Sequence, residues 1–198
     1  MQLIGMLDSP FVRRVAITLD LLDIPFEHKA LSVFRNFDAF AAINPVVKAP
    51  TLLLNDGTVL IDSTLIIEYA EALAGRSLLP GAPAPRAQAL RAIGPALAAC
   101  EKTAQVVYEY QLRPPEKQHQ PWLDRVQEQL LAACRQLDAA TDAFEVVDLG
   151  QAAITAAVAW SFIQLMVPQI VDPADFPRLA AWATRAEALP VFRRYPIV

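Results

Sequence analysis

The chain has 198 residues, of which 55% are apolar and 19% charged, with a formal net charge of −4. So much to bury and so little net charge exclude intrinsic disorder, and the length suits one or two domains. The acidic balance argues against nucleic acid as the main partner, because phosphate binding needs a basic footprint.

The first seven residues, Met1-Gln2-Leu3-Ile4-Gly5-Met6-Leu7, are apolar but lack a positive leader and run into Asp8. They read as a strand over 2–6 and not as a signal peptide. Ser9-Pro10 then opens a helix, with serine as the N-cap and proline at the first helical position. Phe11, Val15, Leu19 and Leu22 recur at helical spacing, and Ile24-Pro25 stops the run. Arg13, Arg14 and, further on, Arg35 read as solvated surface. A second strand is expected over 26–31 and a short helix over 37–43, ended by Asn44-Pro45.

Strands over 51–54 and 58–61 are joined by Asn55-Asp56-Gly57, a hairpin signal. Asp62-Ser63 precedes a helix over 64–73, ended by Gly75. The crossover helix makes the first two strands parallel and the hairpin adds an antiparallel pair. The result is a small mixed four-stranded sheet with helices on its faces.

Residues 78–86 hold Pro80, Gly81, Pro83 and Pro85 and read as a linker in which no helix survives. Beyond it, helical runs fall over 86–111, 121–142, 147–167 and 178–189, which makes a bundle. Residues 152–167 form the longest apolar stretch, short of the ~20 residues a spanning helix needs, so they read as a buried central helix. The two cysteines, Cys100 and Cys134, are far apart without a CxxC. That argues against a disulfide scaffold or a zinc site and fits a reducing, cytoplasmic location with no membrane partner. His28 and His119 read as surface residues, not ligands.

Three features bear on chemistry, and each has a plain alternative. Ser9 is either a simple N-cap or a hydroxyl aimed at an anion at a helix N-terminus. Pro50, at the mouth of a strand after Lys48-Ala49, is either an ordinary trans proline or a cis one. Asp62-Ser63 is either a cap or a corner in which Ser63 takes a carboxylate and Asp62 an ammonium. Phe11 and Phe34 in the first part, and Tyr108, Leu112 and Trp160 in the second, are either core residues or walls of an apolar pocket.

The order of these motifs resembles the glutathione S-transferase family, and most of all its bacterial serine-type members. The matching residues are Ser9-Pro10-Phe11-Val12-Arg13-Arg14-Val15, Asn44-Pro45-Val46-Val47-Lys48-Ala49-Pro50-Thr51-Leu52, Asp62-Ser63 and Val147-Asp148-Leu149. The resemblance implies an α/β thioredoxin-like domain over 1–77, the linker over 78–86 and an all-α domain over 87–198. It implies that Ser9 donates to the glutathione sulfur and that the Ala49 backbone pairs with the cysteinyl part, just before a cis Pro50. It further implies that Asp62 and Ser63 hold the γ-glutamyl end, that Lys48 lies near the glycyl carboxylate and that Asp148 caps a central helix. Glutathione is then the co-substrate, with no metal, and the activity is conjugation to a small apolar electrophile, of the detoxifying kind, by a homodimer. A non-catalytic binding or regulatory role, and glutathione-dependent peroxidase or dehalogenase activity, are the alternatives that the same resemblance carries. Two positions depart from the family pattern: Val47 stands where glycine is common, and Glu145 where a serine or threonine cap is usual. With no tyrosine before Tyr69 and no cysteine in the first domain, tyrosine-type and cysteine-type sites are disfavoured.

Overall fold

The computed structural model describes residues 1–146 and 149–197. The elements run β1 (Gln2–Ile4), α1 (Pro10–Leu21), β2 (Glu27–Lys29), α2 (Phe37–Ala41), β3 (Thr51–Leu53), β4 (Val59–Leu60), α3 (Ser63–Ala74), α4 (Pro83–Leu112), α5 (Gln120–Ala140), α6 (Gln151–Met166), α7 (Pro177–Glu187) and α8 (Pro190–Arg194). They fall into two compact units, Met1–Leu78 together with the segment from Ala188, and Leu79–Glu187. The first is a thioredoxin-like domain; the second is helical.

In the first unit the sheet order is β2-β1-β3-β4. β1 pairs with β2 in parallel, with Leu3 opposite His28, and with β3 antiparallel, with Ile4 opposite Thr51. β3 and β4 are antiparallel, with Leu52 opposite Leu60. Their turn closes through Leu54 N–H to the Thr58 carbonyl at 2.9 Å and Gly57 N–H to the Leu54 carbonyl at 3.1 Å. Gly57 there takes φ +90°, which a residue without Cβ adopts readily. β1 is central, and Leu3 and Ile4 are fully buried. Leu3, Leu52, Val15, Leu19, Ile66 and Ala70 form the core between the sheet and helices α1 and α3.

In the second unit α4 packs on α5 and α6, and α6 on α7. Every residue from Gln151 to Trp160 is buried. This matches the all-round apolar sequence, because a helix with no polar face needs neighbours on every side. The Trp182 indole N–H donates to the Ala153 carbonyl at 3.0 Å, so even the polar atom of that ring is satisfied. Among the described residues, no helix is long and apolar enough to cross a membrane.

The structure redraws two boundaries. α4 begins at Pro83, inside the stretch expected as linker to residue 86. Proline is tolerated in a first helical turn, because the N–H it lacks has no helical acceptor there. The helical region expected to run to 198 instead yields its end to the first unit. The helix expected over 178–189 is α7, and Leu189 before Pro190 is extended, with ψ 144°, the conformation favoured before proline. The chain then turns back: α8 packs on α1, and Tyr195 stacks on Phe26 with ring centroids 5.8 Å apart. The expected cap Asp148 lies outside the described residues.

Candidate functional site

The sheet gathers the sequence motifs at one end. β1 and β4 both finish where β3 begins, because each is antiparallel to it. The loop after β1, the loop before β3 and the turn after β4 therefore share one edge, and these carry Ser9, Lys48-Ala49-Pro50 and Asp62-Ser63.

Ser9 is the N-cap of α1, with extended backbone at φ −70° and ψ 120°. Its Oγ accepts from the Val12 N–H at 3.4 Å, and Pro10 occupies the first helical position. The side chain is half-buried. Gly5, at the end of β1, lets the neighbouring segments close in. A Cβ built there would lie 2.5 Å from a Val12 methyl and 3.0 Å from the Ala49 Cβ, and its φ of +139° favours glycine independently. Gly5 thus brings the start of α1 and the Ala49 loop together.

The Ala49–Pro50 peptide bond is cis. A buried polar pair fixes the loop that carries it. Asn44 Nδ2 donates to Thr51 Oγ1 at 2.8 Å, and Thr51 Oγ1 donates to the Lys48 carbonyl at 2.7 Å. The Asn44 Oδ1 accepts from Val46 N–H at 3.0 Å, and its carbonyl from Val47 N–H at 2.9 Å. Val47 sits at φ +49°. That is the left-handed region, where a β-branched side chain is a genuine outlier. Lys48 is exposed.

Asp62 caps α3, its Oδ1 accepting from Thr64 N–H at 2.9 Å and Leu65 N–H at 3.4 Å. Ser63, the first residue of α3, is buried. Arg14 reaches it from α1: one guanidinium nitrogen, Nη1, donates to Ser63 Oγ at 3.2 Å and to Thr64 Oγ1 at 3.3 Å. The two helix starts are tied together by that side chain.

Arg13 and Arg14 correct the sequence reading, which placed them on the solvated surface. They are 0% and 2% exposed. α1 is covered on several sides, so its charged positions had to find partners inside. Arg13 Nε donates to the Tyr195 carbonyl at 2.7 Å, and its guanidinium lies 5.5 Å from the Phe192 ring centroid. Arg35 is exposed as expected. His28 is half-buried, with Nε2 2.8 Å from the Gly5 carbonyl, while His119 is exposed. Asp8, beside Ser9, has its carboxyl pushed above the ordinary range by burial; hydrogen bonding from the Ser9 N–H and the charge of Arg35 oppose the shift.

The expected pocket residues divide between the units. Phe11, half-buried, and Phe34, exposed, lie in the first; Tyr108 and Leu112, both exposed, lie in the second. Trp160 is a core residue, 5% exposed and edge-on to Phe176 with centroids 6.0 Å apart. It packs the helical unit because α6 is buried all round, and it does not stand as an exposed wall. The sequence reading gave no role to Gly5, Asn44 or Thr51, and missed Arg14. No local pattern in α1 marks Arg14, since its burial depends on contacts with residues distant in sequence. Among the described residues, no group of three or more His, Cys, Asp or Glu side chains is placed to hold a metal ion.

Residues 3–78 match the sequence model described as glutathione S-transferase, N-terminal domain. Glutathione S-transferase U4 of Arabidopsis thaliana is 32% identical over 90 residues, which are 45% of this chain and 40% of that protein. The chain thus spans about 40% of the length of the curated relatives it matches. Among solved structures, a glutathione S-transferase of Methylobacterium radiotolerans in complex with glutathione sulfonate superposes with a TM-score of 0.90 at 25% identity. That match covers 98% of this chain and 93% of the other. A glutathione transferase family member of Pseudomonas fluorescens Pf-5 with bound glutathione gives 0.83 at 27% identity, over 98% and 97%.

Proposed function

We propose, from the match of residues 3–78 to the glutathione S-transferase N-terminal domain, that this protein binds glutathione at the shared end of the sheet and activates its thiol at Ser9. The carrying observation is the convergence there of the Ser9 cap, the Ala49 loop that Gly5 admits beside it and the buried Ser63. The tripeptide lies extended, with the Ala49 backbone pairing with the cysteinyl unit. Ser63 and Asp62 take the γ-glutamyl carboxylate and ammonium, and Lys48 meets the glycyl carboxylate.

The energetics are sufficient. A free thiol with pKa near 8.5 is only a few per cent ionised at neutral pH. A hydrogen bond to a charged group stabilises it by roughly 1.5–3 kcal/mol, and at about 1.36 kcal/mol per unit that lowers the pKa by about 1–2 units. The N-terminus of α1 acts in the same direction. Ser9 needs no base, because it donates to the sulfur and does not attack. The thiol proton leaves to solvent, and the thiolate forms a sulfur–carbon bond as the electrophile loses its leaving group or shifts a π pair. Phe11 and Phe34, beside the shared end of the sheet, give the electrophile apolar contacts in the first unit, and the working form is a homodimer.

An ultraviolet difference titration of glutathione across pH tests this, since it follows thiolate absorbance. A thiolate signal well below pH 8.5 is expected. Ser9→Ala is expected to lose turnover by about 10- to 100-fold, the equivalent of one such hydrogen bond, with a smaller change in glutathione affinity. Equal turnover in the variant removes Ser9 from the mechanism. No binding by the wild type turns the search to a protein partner.

A further inference from the structure

We propose that His28 is a positioning residue for thiol activation: it holds the peptide group after Gly5 and so sets where the Ser9 hydroxyl stands. The inference deepens the reading above and rests on Ser9 being the thiol donor.

β1 and β2 pair in parallel with Ile4 opposite Lys29, and the bond from Gly5 N–H to the Lys29 carbonyl, at 3.0 Å, continues that register. The next step of a parallel ladder would send the Gly5 carbonyl to the Leu31 N–H. That donor is already used: Leu31 N–H turns back to the Lys29 carbonyl at 2.9 Å. His28 supplies the missing donor from its side chain, with Nε2 2.8 Å from the Gly5 carbonyl. A carbonyl oxygen only accepts, so Nε2 carries the hydrogen in this contact. β2 thus grips both polar groups of Gly5, one through its main chain and one through an imidazole.

Gly5 is the point at which such a grip reaches the site. A Cβ built there would lie 2.5 Å from a Val12 methyl and 3.0 Å from the Ala49 Cβ, so its backbone is seated against the start of α1 and the Ala49 loop at once. The carbonyl that His28 holds belongs to the Gly5–Met6 peptide group. The next carbonyl, that of Met6, accepts the Ser9 N–H at 3.2 Å. Ser9 Oγ accepts from the Val12 N–H at 3.4 Å, which leaves the hydroxyl proton to be donated. The hydroxyl is therefore placed by backbone that hangs from Gly5. Rotation of the Gly5–Met6 plane would move Ser9 relative to Ala49, and a hydrogen bond weakens steeply as its angle and distance degrade. His28 is half-buried on β2 and acts on the sulfur only through this loop.

The test is the ultraviolet titration of bound glutathione across pH in the full chain, with affinity measured by calorimetry. His28→Ala is expected to raise the pKa of the bound thiol by about one unit, which is about tenfold less thiolate below both values, while Kd for glutathione moves by less than about threefold. His28→Gln, whose amide N–H can reach the same carbonyl, is expected to restore most of the lost thiolate. His28→Phe, which keeps the bulk of a ring without the donor, is expected to behave like His28→Ala. In a Ser9→Ala background, His28→Ala is expected to shift the thiol no further. A thiol that stays as acidic in His28→Phe as in wild type reduces His28 to packing and overturns the proposal. An equal shift in the Ser9→Ala background overturns it too, since His28 would then act without Ser9. Should His28→Ala fail to fold, the Gln and Phe variants carry the comparison. A wild type with no thiolate signal below about pH 8.5 overturns the reading of Ser9 itself and this inference with it. A normal wild-type signal that the His28 variants leave untouched overturns only this inference.

Discussion

At the scale of residues, Asp8 shows how the site sets its own electrostatics. Its carboxyl is raised above 3.8, mainly by burial. A folded-state pKa above the unfolded one means that the native state holds the proton more tightly. Stability from this group is therefore present below about pH 3.8 and lost as pH rises through the folded value. At neutral pH the ionised Asp8 is a net cost, and it adds negative charge next to Ser9. Asp8→Asn is expected to raise the melting temperature at pH 7, with the gain vanishing in acid, and to lower the pKa of a bound thiol. Thermal melts from pH 3 to 8 check the first; a variant less stable at pH 7 than at pH 3, relative to wild type, would contradict it. The Ser9 cap was legible from sequence because capping acts locally, whereas the residues around Pro50 left cis and trans open and only the family resemblance implied cis. Arg13 and Arg14 were not, because an arginine reads as exposed until tertiary contacts such as the Tyr195 carbonyl and the Ser63 hydroxyl are known.

At the scale of elements, the loop over 44–51 carries a local strain. Val47 holds φ +49°. The left-handed region costs an L-residue about 1–2 kcal/mol, against about 0.5–1 kcal/mol of extra backbone entropy lost by a glycine. Val47→Gly is expected to stabilise the fold by a net ~0.5–1 kcal/mol in urea unfolding; destabilisation would show that the valine side chain contributes packing that outweighs the strain. In the helical unit, buried Asp138 on α5 accepts from Leu179 N–H at 2.9 Å and Arg178 Nε at 3.2 Å, so it caps the start of α7 from a distance of 41 residues. Hydrogen bonds to a charged, buried group are worth about 1.5–3 kcal/mol, so Asp138→Ala is expected to destabilise by about 2 kcal/mol. Asp142→Ala, which removes only the exposed partner of the same arginine, is expected to cost less than about 1 kcal/mol. Equal losses in the two variants would mean that the ion pair, and not the α7 cap, carries the energy. The helices themselves were legible through their periodicity. The cap was not, since no local pattern links Asp138 to Leu179.

At the scale of the whole molecule, the two strand pairs and the helical second unit followed from the element sequence, because a crossover helix dictates a parallel pair and a tight turn an antiparallel one; the joining of those pairs through β1 and β3 did not. The return of the chain was hidden. The expected helices stop at residue 189 and the remaining residues were placed with the bundle, yet α8 packs on α1 of the first unit. Phe192 is fully buried there beneath the Arg13 guanidinium, and Arg194 pairs with Asp20 on the same helix. The first unit is thus completed by residues more than a hundred positions after its sheet has closed. Truncating a buried phenylalanine to alanine typically costs 3–5 kcal/mol, a large share of a domain's stability. Phe192→Ala is therefore expected to cost about 3–5 kcal/mol and to act on the unit whose sequence it does not adjoin. In native-state hydrogen exchange, the amides of α1 and β1 are expected to lose protection most, and glutathione is expected to restore part of it by binding the native form. If protection fell in α6 and α7 while α1 and β1 kept theirs, the segment from Ala188 would belong energetically with the helical unit that precedes it.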